Sequence, residues 1–277
     1  MRLPYQHDQH DAATRDATDR RLGRVVVGVD FTESSLAVAQ WVGRHLAPST
    51  ELALVHVTPM ALMPNVSRVG SNRLAILDGR PSDRVQSLRG ALRGLASLIS
   101  VTRTTVEVRV GDPATQLAVY ADGVDADLVV VAASTRYHIA PRYETATTHQ
   151  LLRRVSRPVL IARNAHAAPT TVLAVVADGS DASPVLAAAR MVAMTCAARV
   201  TRLDVTAEPA IRSIVDAARE LRADIVAVGT HAPAGEIMRD DGHAAADALV
   251  RTTGSSVLVV PQSTNALLPP PRVWPRR

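Results

Sequence analysis

The segment RVVVGVDFTESS, beginning at Arg24, returns in altered form as VLAVVADGSDAS, beginning at Val172, and this repetition limits the fold more than any other feature of the chain. Each copy is an apolar run that ends at an aspartate, Asp30 or Asp178, followed by small polar residues. An unbroken apolar run suits a strand buried on both faces, and short polar side chains after it suit the entry to a helix. Behind the first copy Leu36, Ala39, Val42 and Leu46 recur at helical spacing, and behind the second Val185, Ala189, Val192 and Cys196 do the same. Ser183 before Pro184 predicts an N-cap followed by a first-turn proline. A strand-to-helix junction seen twice points to a duplicated α/β unit.

The likeness continues in GDPATQLAVYADGVDADLVVVAAS and AEPAIRSIVDAARELRADIVAVGT, each a proline-started helix leading into an apolar strand. Pro113 and Pro209 are 96 residues apart and Asp127 and Asp224 are 97 apart, whereas Asp30 and Asp178 are 148 apart. The second copy is therefore 52 residues shorter between its first aspartate and its proline. In that interval the first copy holds the strand ELALVHVTP, the helical stretch PSDRVQSLRGALRGLASLI and the alternating strand TTVEVRV, and the second keeps only ARVTRLDVT. One helix and one strand are predicted to be missing. Strands are expected near 24–30, 51–58, 104–110, 127–133 and 158–162, then near 171–177, 199–206, 224–229 and 256–260. The resulting fold class is α/β, two open parallel sheets covered by helices on both faces. In such sheets ligands bind beyond the carboxyl ends of the strands, where the strand order reverses, and Asp30, Ala132, Asp178 and Gly229 all fall at such ends. The expected organisation is a flexible basic tail over 1–23, a first domain over 24–164, a truncated second domain over 170–262 and a flexible Pro/Arg-rich tail over 263–277.

Charge narrows the partners. The net charge is +5, but residues 1–24 and 264–277 hold eight Arg against four Asp, leaving 23 Arg and 22 acids in the body of the chain. With no Lys and only 3% aromatic residues, neither a basic stripe nor a base-stacking platform emerges, so nucleic acid is not expected as a partner. No apolar stretch is long enough to span a bilayer and residues 1–24 lack a signal-peptide core, which reads as a cytoplasmic protein with no membrane partner. The single cysteine, Cys196, lies on an apolar helical stripe, where core packing is the expectation.

An aspartate after the first strand, HVTP after the second, VRVGDPA at the third and DLVVVAAS at the fourth together resemble the universal stress protein family. The resemblance covers 25–163 and, in shortened form, 171–261. It implies a HUP-like five-stranded parallel sheet of order 3-2-1-4-5. It further implies, for nucleotide-binding members, a G-x2-G-x9-G-[ST] motif after the fourth strand. In the first copy those positions fall on Ala132, Thr135, Thr145 and Ala146, and in the second on Gly229, Ala232, Gly242 and His243. Glycine belongs there because backbone N–H groups must approach a phosphate closely, in places at positive φ, and a Cβ obstructs both. The first copy has lost every glycine, with β-branched Thr135 at one of them, so no family-type triphosphate cradle is expected; Ser134, Thr135 and Arg136 remain for a smaller anion. The second keeps two of three, with Thr230 after Gly229, but carries an imidazole at His243 in place of the hydroxyl.

By the same resemblance, adenine recognition falls on Asp178 and Val205 in the second copy and on Asp30 and Val57 in the first; both aspartates serve equally well as helix caps. ATP is the one cofactor implied, weakly held or altered in the second copy. The last strands, RPVLIA and SSVLVV, are implied to pair into an intramolecular pseudo-dimer, which removes two exposed apolar edges. Loss of the third strand uncovers the side of the second, to be capped by a tail or by a partner, either a second subunit in a homodimer or a regulatory protein.

His231 and His243 with Asp240 or Asp241 match no metal-ligand spacing, and RDDGHAAAD reads as a turn at Gly242 entering a helix, so no metal is expected. His56 reads as a packed or pocket-rim residue, and Arg153, Arg154 and Arg157 as a solvated helix end. No Ser-His-Asp or Cys-His set has supporting local sequence, and catalysis is not expected. The function implied is a regulatory or adaptor role in stress response; the alternatives are an adenine-nucleotide sensor acting through the second copy and, less favoured, a nucleotide hydrolase.

Overall fold

The computed structural model describes residues 6–7, 21–47, 50–59, 81–99, 103–133, 144–163, 165–177, 181–205, 210–230 and 248–261. Ten strands form one sheet: β1 (Gln6–His7), β2 (Arg24–Gly28), β3 (Glu51–Thr58), β4 (Arg103–Val110), β5 (Leu128–Ala132), β6 (Val159–Ala162), β7 (Thr171–Ala177), β8 (Arg199–Val205), β9 (Ile225–Gly229) and β10 (Ser256–Val260). Their order is β1-β8-β7-β9-β10-β6-β5-β2-β3-β4. The first half contributes five parallel strands in the order 3-2-1-4-5 of its own numbering, and the second contributes 2-1-4-5. The missing strand is thus the outermost one, and only residues 206–209 lie between β8 and the next helix. What reads in the sequence as two open sheets is continuous across the join, where β10 pairs antiparallel with β6 through Val257↔Ile161, Leu258↔Leu160 and Val259↔Val159.

Period-two alternation decides which helices each strand meets. Val25 and Val27 of β2, with Val172 and Ala174 of β7, join the core on the face that carries α1 (Glu33–His45), α2 (Pro81–Ser97) and α5 (Ser183–Cys196). Val26, Leu173, Val175 and Ala177 join the opposite face, beneath α3 (Pro113–Gly123), α4 (Glu144–Arg154) and α6 (Ala210–Glu220). Each core runs through both halves, so the sheet and its two helical layers make one packed body.

Local signals set the helix ends. Thr32 caps α1, its hydroxyl accepting from Ser35 N, with Glu33 in the first turn and Arg44 and His45 in the last. Asp112 caps α3 ahead of Pro113 and accepts from Thr115 N at 2.9 Å. The expected cap at Ser183 is displaced: Ser183 is already helical and donates its N–H to Asp181 Oδ1 at 2.9 Å. The N-cap residue is Ala182, which makes no side-chain capping bond, and Asp181, acceptor-only, satisfies the orphan N–H of Ser183 from one residue further out.

The uncovered side of the second strand is β8, and Gln6↔Arg202 and His7↔Thr201 pair antiparallel along it. The amino-terminal tail therefore covers two of the seven residues of β8. Among the described residues no helix is long and apolar enough to cross a membrane.

Candidate functional site

Strand order reverses twice, between β2 and β5 and between β7 and β9, and at each point the strands run parallel, so their carboxyl ends open on the same side. At the first reversal Asp30 follows β2 and Ala132 ends β5, so the structure brings these two expected residues to one crevice. Asp30 Oδ1 accepts from Thr32 N at 2.9 Å and Thr32 Oγ1 at 2.6 Å, and Thr32 in turn caps α1. Partial desolvation works to raise the Asp30 pKa, but hydrogen bonds from Ser35 and Thr32 outweigh it and hold the carboxyl below its usual 3.8. Asp30 is thus an anion whose geometry is already committed to building the turn into the helix.

Val57 lies one residue before the end of β3, half-buried and packed against the core under α3. Beside it, Thr58 is 1% exposed and its hydroxyl has no hydrogen-bond partner among the described residues. Ala132 is half-buried against the opposite core, its Cβ at the place where the nucleotide motif has a glycine. Thr135, with Ser134 and Arg136, lies outside the described residues; Thr145 and Ala146 fall in the first turn of α4.

The second crevice is described along its floor. Gly229 ends β9, buried between β7 and β10, and pairs with Val260. Thr230 follows it, its N–H donating to the Val260 carbonyl at 3.0 Å. Val205 ends β8 opposite Ala177, buried, in the position Val57 occupies in the first half. Asp178, Ala232, Gly242 and His243 lie outside the described residues, as do His231, Asp240 and Asp241. Among the described residues no group of three or more His, Cys, Asp or Glu is placed to hold a metal ion.

Two features at these mouths escaped the sequence reading. Phe31 stands in the left-handed region at φ 62°, a conformation that costs a bulky residue about 1–2 kcal/mol, and its ring lies 4.8 Å from that of His56. His56 Nδ1 is 2.7 Å from the Val29 carbonyl, which only accepts, so Nδ1 carries the hydrogen and the imidazole ties β3 to the end of β2. This agrees with a rim residue. With Arg24 matched to Thr171 by the backbone, the counterpart of Phe31 in the second copy is Asp178, so no glycine signals the position.

A model of the universal stress protein family matches residues 22–163, just over half of the chain. The chain belongs to that family. The fold likeness extends beyond the matched region. A universal stress protein from Archaeoglobus fulgidus DSM 4304 superposes with a TM-score of 0.61 at 15% identity, over 89% of this chain and 98% of that one. A protein of unknown function from Pseudomonas aeruginosa PAO1 gives 0.57 at 16% identity, over 87% and 92%. At these identities the shared property is the fold. No curated protein matches the chain. Within the family frame, the first half of this universal stress protein has the complete strand set and the second half lacks its third strand and the helix before it.

The arginines expected at a solvated helix end divide. Arg153 and Arg154 do end α4, and Arg154 Nη1 reaches Asp112 at 3.2 Å. Arg157 lies beyond the helix and bridges Asp125 at 2.6 Å and Asp122 at 3.5 Å, a contact between segments too far apart in sequence for periodicity to signal.

Proposed function

We propose that this universal stress protein acts as a regulatory or adaptor module in stress response, with no family-type ATP site in its first half and a weak or altered nucleotide site in its second. The observation that carries the reading is the difference between the two fourth-strand ends. Ala132 places a Cβ where backbone would have to meet phosphate, while Gly229 keeps a bare backbone at the matching point. Thr230 follows Gly229 and Val205 ends β8 on the far side of β7, so an adenine nucleotide would be read at this mouth.

The experiment is twofold. Small molecules released from the purified protein are identified by mass, and ATP is titrated calorimetrically into the parent chain and into Gly242→Val. Binding that is weak and lost in Gly242→Val supports the reading. Tight binding abolished by Gly242→Val favours the sensor reading, for which retention of Gly229 is the specific support, and tight binding that survives in Gly242→Val but falls with Ala132→Val overturns the assignment of halves. The reading is non-catalytic, and phosphate release from ATP above the background of a boiled sample would contradict it.

A further inference from the structure

At the amino-terminal feet of β9 and β10, the end of the second half opposite its mouth, lies a cavity of about 340 Å³ lined by Arg163, Arg219 and Arg222 and walled by Trp41, Val215 and Ala218. The two copies differ in charge at this corner. In the first half the corresponding corner is a closed ionic cluster, in which Arg157 meets Asp122 at 3.5 Å and Asp125 at 2.6 Å and Ser156 Oγ donates to Asp122 at 2.6 Å. Asp127 and Asp224 fix the register between copies, since each accepts the N–H groups that open the central strand of its half, Gly23 and Arg24 in one and Thr170 and Thr171 in the other.

In that register Asp122 becomes Arg219, Asp125 becomes Arg222, and the Arg157 position is taken by Ser255. The backbone did not change with the charge: Asp125 and Arg222 both hold a positive φ, 54° and 50°. Where the first half has two acids joined by a base, the second has two bases and a neutral residue.

Among the described residues the lining sets three arginines against one acid, Asp224, whose charge offsets only part of theirs. Arg163 and Arg222 have no acidic partner among the described residues, and Arg219 has only Asp216 at 4.0 Å on the open surface. Asp224, the one acid in the lining, directs Oδ2 at Thr170 N, Thr170 Oγ1 and Thr171 N. The hydroxyls are committed as well: Thr253 donates to Leu249 O, Ser255 to Ala223 O and Ser256 to Arg163 O. Trp41 Nε1 donates to Ala167 O. Arg163 is half-buried in the lining and Arg219 and Arg222 are exposed at its edge, and planar guanidinium forks fit phosphate oxygens in pairs.

We propose that this cavity is an anion site for a compact organic phosphate, its phosphate held by Arg163, Arg219 and Arg222 and its organic part against Trp41, Val215 and Ala218. The volume is at the lower end for small-molecule pockets, which suits a sugar phosphate or a short diphosphate ester. The site is separate from the second-half nucleotide mouth: it lies at the opposite end of β9, on the rim where the first-half strands end, and involves none of the motif positions.

The test uses the full chain with two probes, inorganic pyrophosphate and glucose 6-phosphate, titrated calorimetrically at low salt. The key variant is Arg219→Asp/Arg222→Asp/Ser255→Arg, which installs the ion pairs of the first half and so replaces the charge without leaving acids unpaired. Arg222→Ala is the companion, an exposed substitution that leaves the fold in place if the triple variant does not fold. Each lost guanidinium is expected to weaken binding about tenfold or more. Gly242→Val should bind both probes as the parent does, which separates this site from the nucleotide mouth. Binding of pyrophosphate alone would reduce the ligand to a free polyphosphate and refute the organic part of the proposal. No heat with either probe at millimolar concentration, or undiminished binding by Arg222→Ala, would overturn it entirely.

Discussion

Leu258→Ala should weaken the first half of the protein as much as the second, although Leu258 belongs to the second alone. Leu258 is fully buried at the join, opposite Leu160, and its side chain sits in a core that also contains Val38 and Val42 of α1. Truncating a buried leucine costs about 2–5 kcal/mol, the transfer of the lost methyl groups plus the cavity left behind. With a middle value of about 3 kcal/mol and a urea dependence of about 3 kcal/mol per molar for a chain of this size, the midpoint should fall by about 1 M. The assay is equilibrium unfolding in a Trp274→Phe background, so that Trp41 in α1 is the remaining tryptophan. Trp41 fluorescence and far-UV circular dichroism should give coincident transitions in the parent, and both should move together in Leu258→Ala. If the Trp41 transition stays in place while the dichroism splits into two steps, the join does not couple the halves and the reasoning from a shared core fails.

Ala197→Gly should raise the melting temperature, because Ala197 ends α5 in the left-handed region at φ 57° on an exposed position; relief of its Cβ strain exceeds the added chain entropy by about 0.5–1 kcal/mol, and a lower midpoint would refute the account. Asp112→Ala should lose the α3 cap at a cost of about 1 kcal/mol at neutral pH. Hydrogen bonds from Thr115 hold the Asp112 pKa below its usual 3.8, so the cap's contribution is complete above 3.8 and fades as the pH falls through the lower folded value; the gap between parent and variant in acid urea titrations should close in that direction. His7→Pro removes a backbone donor from β1, and the bared edge of β8 should raise self-association measured by light scattering at matched concentration. Unchanged scattering would show that two paired residues do not protect the edge.

Nine strands were legible because seven are apolar runs and two, β4 and β8, alternate apolar with polar residues, and the expected spans differ from those observed by at most two residues at an end. The deletion was legible from arithmetic alone, since covalent spacing survives even where residues have changed. The continuous sheet was less so: RPVLIA and SSVLVV carry the apolarity that invites pairing but nothing that fixes its register. The start of α5 was hidden because Ser183 suits an N-cap locally, whereas the backbone puts Ala182 there and leaves Asp181 to accept the Ser183 N–H. Arg157 with its two acids, and the arginine cavity, were invisible for a common reason. Both assemble residues from a helix end, a turn and a strand start that come together only when the sheet closes, and a motif search directed at strand ends does not look at strand feet.

The antiparallel join between β6 and β10 reverses the sense of the sheet halfway across. The two crevices consequently open toward opposite rims, and whatever settles in one lies alongside the strand feet of the other half. A flat partner can face one crevice at a time, so a protein that engaged both would have to wrap around the sheet, while two separate partners could each take a rim without colliding.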